Sequence, residues 1–387
     1  MPDIRKMVQD QRDFIINNRR MLHLIPETAF QEKKTGASIG ECLEREGLQV
    51  QKGIAGTGVV GLMETGVPGP TLMVRADMDA LPITEETGLP FASTHQGVMH
   101  ACGHDGHMAM VLGAARILNT LKDRLKGNIK FVFQPAEEAP GGARAMIDMG
   151  VMADPPVDYA LGCHLWPALA EGTLGVRPGT LMAAMDRFAL KIFGKGGHGA
   201  MPHLCVDALD VGAQVMNALQ RIVSRHMNPL SPAVVTVGSF HGGTAFNIIA
   251  GEATLEGTTR TFDEDIWESL EGRLERVIGG ICRAMGAGYE LTYTRGCPPL
   301  VNDPVVCRVV HRSAEAVVDP ERVVEPEPTM GGEDMAYFLQ RAKGCFFFLG
   351  TGREGRPALH TPTFDFNEDV LPLGVETFCR AAMEILR

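Results

Sequence analysis

A chain of 387 residues exceeds what one hydrophobic core ordinarily supports, so two domains are expected. The composition is globular, with 45% hydrophobic and 21% charged residues, and a net charge of −11 excludes nucleic acid as a main partner, because phosphate binding needs a basic surface. No apolar run nears the roughly 18 residues of a membrane span, the charged N-terminal stretch (Asp3, Arg5, Lys6, Asp10) has no signal-peptide core, and nine scattered cysteines fit free thiols, so no membrane partner and a cytoplasmic location are expected.

In chain order, Ile4 to Leu24 reads as one helix ending before Pro26, and Lys33 to Glu46 as a second closing at Gly47. Strand-like runs follow at Gly58–Met63 and Thr71–Arg75, the latter opening onto Asp77 and Asp79. The nine residues Met99 to His107 then carry one thiol, three imidazoles and a carboxylate. Thiolate and neutral imidazole suit a borderline-soft divalent cation, which singles out Cys102 and His104. Side chains two apart point the same way in extended chain, so an extended Cys102-Gly103-His104 loop is expected, with Asp105 capping a helix that runs to about Leu121. Asn128–Phe133 reads as a buried strand ending at Glu137–Glu138, Gly141–Met149 as a helix, and Tyr159–Cys163 as a strand ending at His164. Three strands thus end on ligand-type residues, and in open α/β sheets sites form beyond the carboxyl ends of strands.

From Asp186 the character changes. Arg187–Phe193 alternates as a strand, a glycine-rich turn carries His198 and His203, and helices and strands follow in the order β-α-β-β-α-β up to Thr294. That order is a split βαβ unit, here inserted into the larger domain, because α/β material resumes after Gly296 and runs through Gly331-Gly332-Glu333-Asp334, the strand Cys345–Leu349, His360 and a last helix near Asp369–Leu386.

Collected, the metal-ligand candidates are Cys102, His104, Glu138, His164 and His360. Five are too many for one open zinc site, which takes three protein ligands and water, and suit two metals about 3.5–4 Å apart that activate a water between them. Glu137, beside a candidate ligand, is placed to take the proton from that water and deliver it to a leaving nitrogen. Taken singly, Glu137–Glu138 also fits a solvated helix start, and His164 a core histidine.

The segments MHACGHDGHMAM (99–110), FQPAEEAPGGA (133–143), GCHLWP (162–167), GKGGHGAMPH (194–203), EGTTRTF (256–262), GGEDMAYF (331–338) and LHTPTFDFN (359–367) occur in this order, and together they resemble the M20 metallopeptidase family, in particular its amidohydrolase branch. The resemblance implies an α/β fold: a catalytic domain with a mixed central sheet, in two parts (1–185 and 296–387), interrupted by a smaller α+β, ferredoxin-like βαββαβ satellite at 186–295 that dimerises. It implies two divalent metals per subunit, zinc or manganese with cobalt or nickel as further candidates, on Cys102, His104, Glu138, His164 and His360. Glu137 becomes the acid/base, and His198 reaches the partner subunit's site to stabilise an oxyanion. Asn247 and Arg260 match positions holding the scissile carbonyl and the substrate carboxylate; Gly332, with Gly331, His203 and Glu333, is a candidate for the substrate pocket. Asp77 is expected to orient a ligand, and His100, Asp105 and His107 to support rather than coordinate. Ala250 stands where relatives commonly have Pro, which bears on loop stiffness.

The implied activity is hydrolysis of N-acyl (acetyl- or benzoyl-type) amino acids by a homodimer or higher oligomer, with N-acetyldiaminopimelate deacetylase or dipeptidase-like activity on the same scaffold as alternatives. Two rivals differ in kind. Cys102 could be a nucleophile with His104 as base, which leaves Glu138, His164 and His360 idle. The chain could also be a silent metal- or amino-acid-binding protein, which has no need for Glu137 beside Glu138.

Overall fold

The computed structural model describes residues 2–139 and 141–387, which divide into two compact units. The first comprises residues up to Gly179, Val301–Glu327 and Asp334–Arg387. Its centre is an eight-stranded mixed sheet, in the order Gln49–Ile54, Gly58–Glu64, Asn128–Gln134, Thr71–Asp77, Tyr159–Ala170, Lys343–Gly352, Leu174–Gly175 and Val323–Val324. The four central strands run parallel, Thr71–Asp77 lying between Asn128–Gln134 and Tyr159–Ala170, with Lys343–Gly352 beyond. Strands of a parallel sheet are covered on both faces and read as continuous apolar runs, and Thr71–Asp77 is buried along its whole length. Arg75 and Asp77 are therefore charges inside a buried strand, which demands local partners.

The helix His104–Thr120 is buried on nearly every face, packed against the helices Arg12–His23 and Leu371–Ile385. Small residues permit this closeness: a Cβ on Gly113 would meet Ile15 Cγ1 at 2.9 Å and Val375 Cγ2 at 3.1 Å. Phe131, Phe133, Phe347 and Phe378 fill the same core; each buried aromatic contributes roughly 1.5–3 kcal/mol.

Four local readings are corrected. The first helix is two, Ile4–Asp10 and Arg12–His23, with Gln11 leaving helical geometry between them. The exposed edge strand Gln49–Ile54 went unread because its alternation rests on little more than Val50 and Ile54. Asp105 is not a cap: Gly103, left-handed at φ 89°, precedes a helix that already begins at His104, and the Asp105 carboxylate is buried against Arg19 and His23. Cys102 and His104 consequently converge through a left-handed turn rather than an extended loop, a conformation that glycine adopts without steric penalty.

The second unit spans Thr180–Leu300 with Pro328–Glu333, wider than the 186–295 read from the pattern, and includes Gly332. Its antiparallel sheet has the order Ala233–Gly242, Glu252–Thr261, Ala184–Phe193, Gly288–Cys297, and in chain order that is a split βαβ. The helix Ala208–His226 starts at Asp207, whose side chain accepts from Leu209 and Asp210 N–H, and Glu264–Met285 starts at Asp263 in the same way. Val211, Val215, Leu219 and Ile222 on one helix and Leu270, Leu274 and Ile278 on the other share a core with Phe188, Leu190 and Ile192 of the sheet.

Candidate active site and metal centre

Beyond the carboxyl ends of Thr71–Asp77 and Asn128–Gln134, residues far apart in sequence come together, and His164 stands inside the strand Tyr159–Ala170 rather than at its end as the sequence suggested. Cys102 Sγ lies 3.5 Å from His164 Nε2 and 3.3 Å from His360 Nε2, and His360 Nε2 is 3.0 Å from Glu138 Oε1. Two donor triads result, Cys102 with His104 and His164, and Cys102 with Glu138 and His360, each with ligand atoms within 4.8 Å of one another. They share one sulfur. A third group joins His104, Glu137 and Glu138.

Hydrogen bonding assigns the imidazole tautomers. His164 Nδ1 is 2.7 Å from the Leu165 carbonyl and His104 Nδ1 is 2.9 Å from the Asp79 carbonyl. A carbonyl only accepts, so both Nδ1 atoms carry a proton, and in the neutral form of either ring it is Nε2 that turns a lone pair toward the cluster. His104 Nε2 is buried with no hydrogen-bond partner. A neutral imidazole held this way is oriented from behind to offer Nε2 to a cation. His107 differs: Nδ1 donates to Asp77 Oδ1 at 2.7 Å and Nε2 accepts from Leu165 N–H at 2.9 Å, so both nitrogens are used within the protein.

His360, on a loop, is itself left-handed at φ 61°, pinned by its N–H to the Ala101 carbonyl at 2.8 Å. Asp77 bridges Arg75 Nη1 (2.9 Å) and His107, and Arg75 also donates to Gln134 and Asp334, both at 2.9 Å. Burial outweighs these donors at Asp334 and pushes its carboxyl up to about 6. Arg75, Asp79 and Asp334 are site residues that sequence reasoning missed; for Arg75 a signal existed, a guanidinium inside an apolar strand. Asp79 holds the acidic pair from behind, Oδ1 accepting Glu137 N–H and Oδ2 accepting Glu138 N–H, each at 3.0 Å.

The electrostatics are polarised. Burial works against a charge on His104, but Asp77 and Asp79 outweigh it and lift the imidazole to about 10, so the position that a cation would take at Nε2 holds a proton in its place. Burial holds His164 down at about 3, with the neighbouring imidazole of His107 acting in the same direction. Burial raises the Cys102 thiol well above its ordinary value, and Glu138, Glu137 and Asp77 push it further. Surrounding carboxylates thus favour positive charge where His104, Cys102 and Glu138 meet.

In the second unit, His198 is exposed and paired with Ile248 in a two-stranded ladder, its Nδ1 accepting from Ala200 N–H at 3.1 Å. Asn247 is its neighbour, the Asn247 carbonyl accepting Gly199 N–H at 2.8 Å. Arg260 is half-buried on Glu252–Thr261 and donates to Thr258 Oγ1 and the Thr259 carbonyl. Gly332 has no room for a side chain: a Cβ there would meet Met185 Cβ at 2.9 Å and Cys297 Sγ at 3.0 Å.

A parallel sheet whose strand ends gather thiol, imidazole and carboxylate donors around an additional glutamate has the layout of a hydrolase site. The model of peptidase family M20/M25/M40 matches residues 73–384. The chain is 46% identical over 301 residues to an N-acyl-L-amino acid amidohydrolase of Geobacillus stearothermophilus, covering 78% of this chain and 81% of that protein. It is 39% identical over 378 residues to thermostable carboxypeptidase 1 of Saccharolobus solfataricus, covering 96% and 95%. Among solved structures, the Bacillus subtilis YXEP protein, described as a dinuclear metal-binding peptidase, superposes with a TM-score of 0.85 at 35% identity, covering 98% and 99%. The chain belongs to peptidase family M20/M25/M40 and is a hydrolase of amide bonds.

Proposed function

We propose that this protein hydrolyses N-acyl amino acids, adding water across the amide to release a carboxylic acid and a free amino acid. The observation that carries the reading is the pair of donor triads sharing Cys102, with Glu137 next to the donor Glu138. Thiolate, two imidazole Nε2 lone pairs, a third imidazole and one carboxylate fit two divalent cations held by Cys102, His104, His164, His360 and Glu138, zinc or manganese first, cobalt or nickel next. Bound there, such cations supply a water that ionises near neutral pH and positive charge beside the acyl oxygen. The chain's own residues do the rest. Glu137 accepts the proton of the attacking water on its carboxylate and delivers it to the departing nitrogen. Asp79 keeps Glu137 and Glu138 in register, and Asp77 fixes His107. Arg260 grips the substrate carboxylate and Asn247 its carbonyl region, while Gly332 keeps the pocket wall open. His198 donates to the oxyanion in the site of the other subunit of a cytoplasmic homodimer formed through the second unit. Nine cysteines scattered along the chain without framework spacing suit a reducing location, and no helix among the described residues is long and apolar enough to cross a membrane.

The test is turnover of acetyl- and benzoyl-amino acids by chelator-stripped protein reloaded with each metal in turn. Stripping is expected to abolish turnover and at least one metal to restore it; metal-loaded, folded protein that cleaves no N-acyl amino acid ends the proposal. The kinship with a carboxypeptidase supports a second reading, cleavage of a C-terminal peptide bond by the same residues, and a peptide panel in the same assay separates the two. Mixing His198→Ala subunits with Glu137→Gln subunits is expected to regain part of the activity that each lacks alone, since a mixed dimer contains one intact site. Mixtures as inactive as their components would place His198 in its own subunit's site or outside catalysis.

A further inference from the structure

Three successive backbone N–H groups at the acidic turn end on carboxylate oxygens. Asp79 takes those of Glu137 and Glu138, and Glu32 Oε1 takes that of Ala136 at 3.0 Å, across 104 residues of chain. Glu32 is fully buried. It stands at the N-cap of the helix Lys33–Arg45 yet does not cap it; Glu27 Oε2 accepts the Lys34 and Thr35 N–H groups instead. The Glu32 carboxylate is committed elsewhere: Oε1 also accepts Phe30 N–H at 3.0 Å, and Oε2 accepts the Thr57 hydroxyl at 2.5 Å. Both backbone donors on Oε1 belong to left-handed residues, Phe30 at φ 60° and Ala136 at φ 54°. L-residues with a Cβ avoid that region, so something must hold them there. At Ala136 the consequence is directional, because its backbone angles set how the next residue, Glu137, leaves the strand Asn128–Gln134.

We propose that Glu32 is a positioning residue for Glu137: by accepting the Ala136 N–H it holds Ala136 left-handed and so aims the Glu137 carboxylate. The inference rests on Glu137 being the proton carrier. It differs from the role of Asp79, which grips the peptide groups of the acidic pair themselves, and it gives the N-terminal segment a part in catalysis without contact to substrate.

The test compares Glu32→Ala, Glu32→Gln and Glu32→Ala combined with Ala136→Gly for kcat, KM, bound metal and thermal midpoint. Glu32→Ala is expected to lower kcat roughly ten- to a hundredfold, the scale of a misplaced catalytic group, with KM and metal content unchanged. Glu32→Gln regains kcat, because its amide oxygen can accept both N–H groups while its NH₂ donates to Thr57. Ala136→Gly in the Glu32→Ala background also regains kcat, because glycine occupies the left-handed region unaided. A purely structural glutamate would lower the thermal midpoint and leave kcat of the folded enzyme intact, which overturns the proposal, as does a loss confined to KM or metal content, or a Gln variant as slow as Ala. Should Glu32→Ala not fold, Glu32→Asp, one methylene too short for Ala136, replaces it with the same expected and overturning results. Glu137→Gln run alongside separates the two levels: full activity there removes the acid/base reading itself, whereas inactivity there with full activity in the Glu32 variants removes only the clamp.

Discussion

Glu137→Gln is expected to lower kcat by roughly 10²–10⁴-fold while leaving KM and bound metal nearly unchanged. The amide has the same shape as the carboxylate but neither accepts a proton from water nor returns one to nitrogen. The turn should not move, because it is held through main-chain N–H groups of residues 136–138 by Glu32 and Asp79, none of which involves the Glu137 side chain. The cation donors are untouched as well, since Glu138 and not Glu137 stands with Cys102 and His360. The measurement is steady-state kinetics on an N-acetyl amino acid together with metal analysis of the same preparation. Turnover within about twofold of the parent would take Glu137 out of the proton path.

The second large effect is on stability. Asp105→Ala is expected to destabilise the first unit by about 3–5 kcal/mol, the cost of breaking a buried ion pair by removing one partner. Asp105 Oδ2 lies 2.8 Å from Arg19 Nε and 2.8 Å from His23 Nδ1, and all three side chains are 1% exposed or less. Arg19 keeps Asp365 and Glu368, at 2.9 and 3.1 Å, but faces an uncompensated cavity on its Nε side. The pH dependence has a definite sign. Burial opposes ionising Asp105, yet Arg19 and His23 outweigh it and hold the carboxyl far below its ordinary 3.8; that contribution is present above about pH 4 and is lost as pH falls. Burial likewise opposes protonating His23, yet Asp105 and Glu85 lift it from 6.5 to about 9; that contribution is full below 6.5 and is lost as pH rises through 9. The penalty of Asp105→Ala should therefore be greatest between about pH 4 and 6.5, and should shrink above pH 9 to the part owed to Arg19. Denaturation followed by the emission of Trp166, which lies in the first unit, reads this in a Trp267→Phe background that silences the second unit's tryptophan; a penalty under about 1 kcal/mol at pH 6 would show that His23 and Arg19 find other partners.

Much of the candidate site was legible because its residue types are out of place where they stand. A thiol and three imidazoles within nine residues announce chemistry without any knowledge of the fold, whereas His164, read as closing an apolar strand, could alone have been a core histidine and in fact lies inside the longer strand Tyr159–Ala170. Glu32 and Asp79 announce nothing: an acid near a helix start, or two residues beyond a strand, is ordinary in sequence. Their importance arises from hydrogen bonds to main-chain N–H groups 104 and 58 residues away, and a main-chain donor has no residue identity to betray it.

The sequence by itself determined most of the long strands and helices, the insertion of one unit within another and the donor types of the cluster, because hydrophobic period and side-chain chemistry are local properties; the break at Gln11 and the weakly patterned strand Gln49–Ile54 escaped it. Only the tertiary structure decided that one sulfur joins two triads, since Cys102 meets His164 across 62 residues and His360 across 258. It also decided that Gly103, Ala136 and His360 turn left-handed, and that His104 and His164 present Nε2 rather than Nδ1. Those outcomes depend on distances between segments that only packing brings within a hydrogen bond of one another.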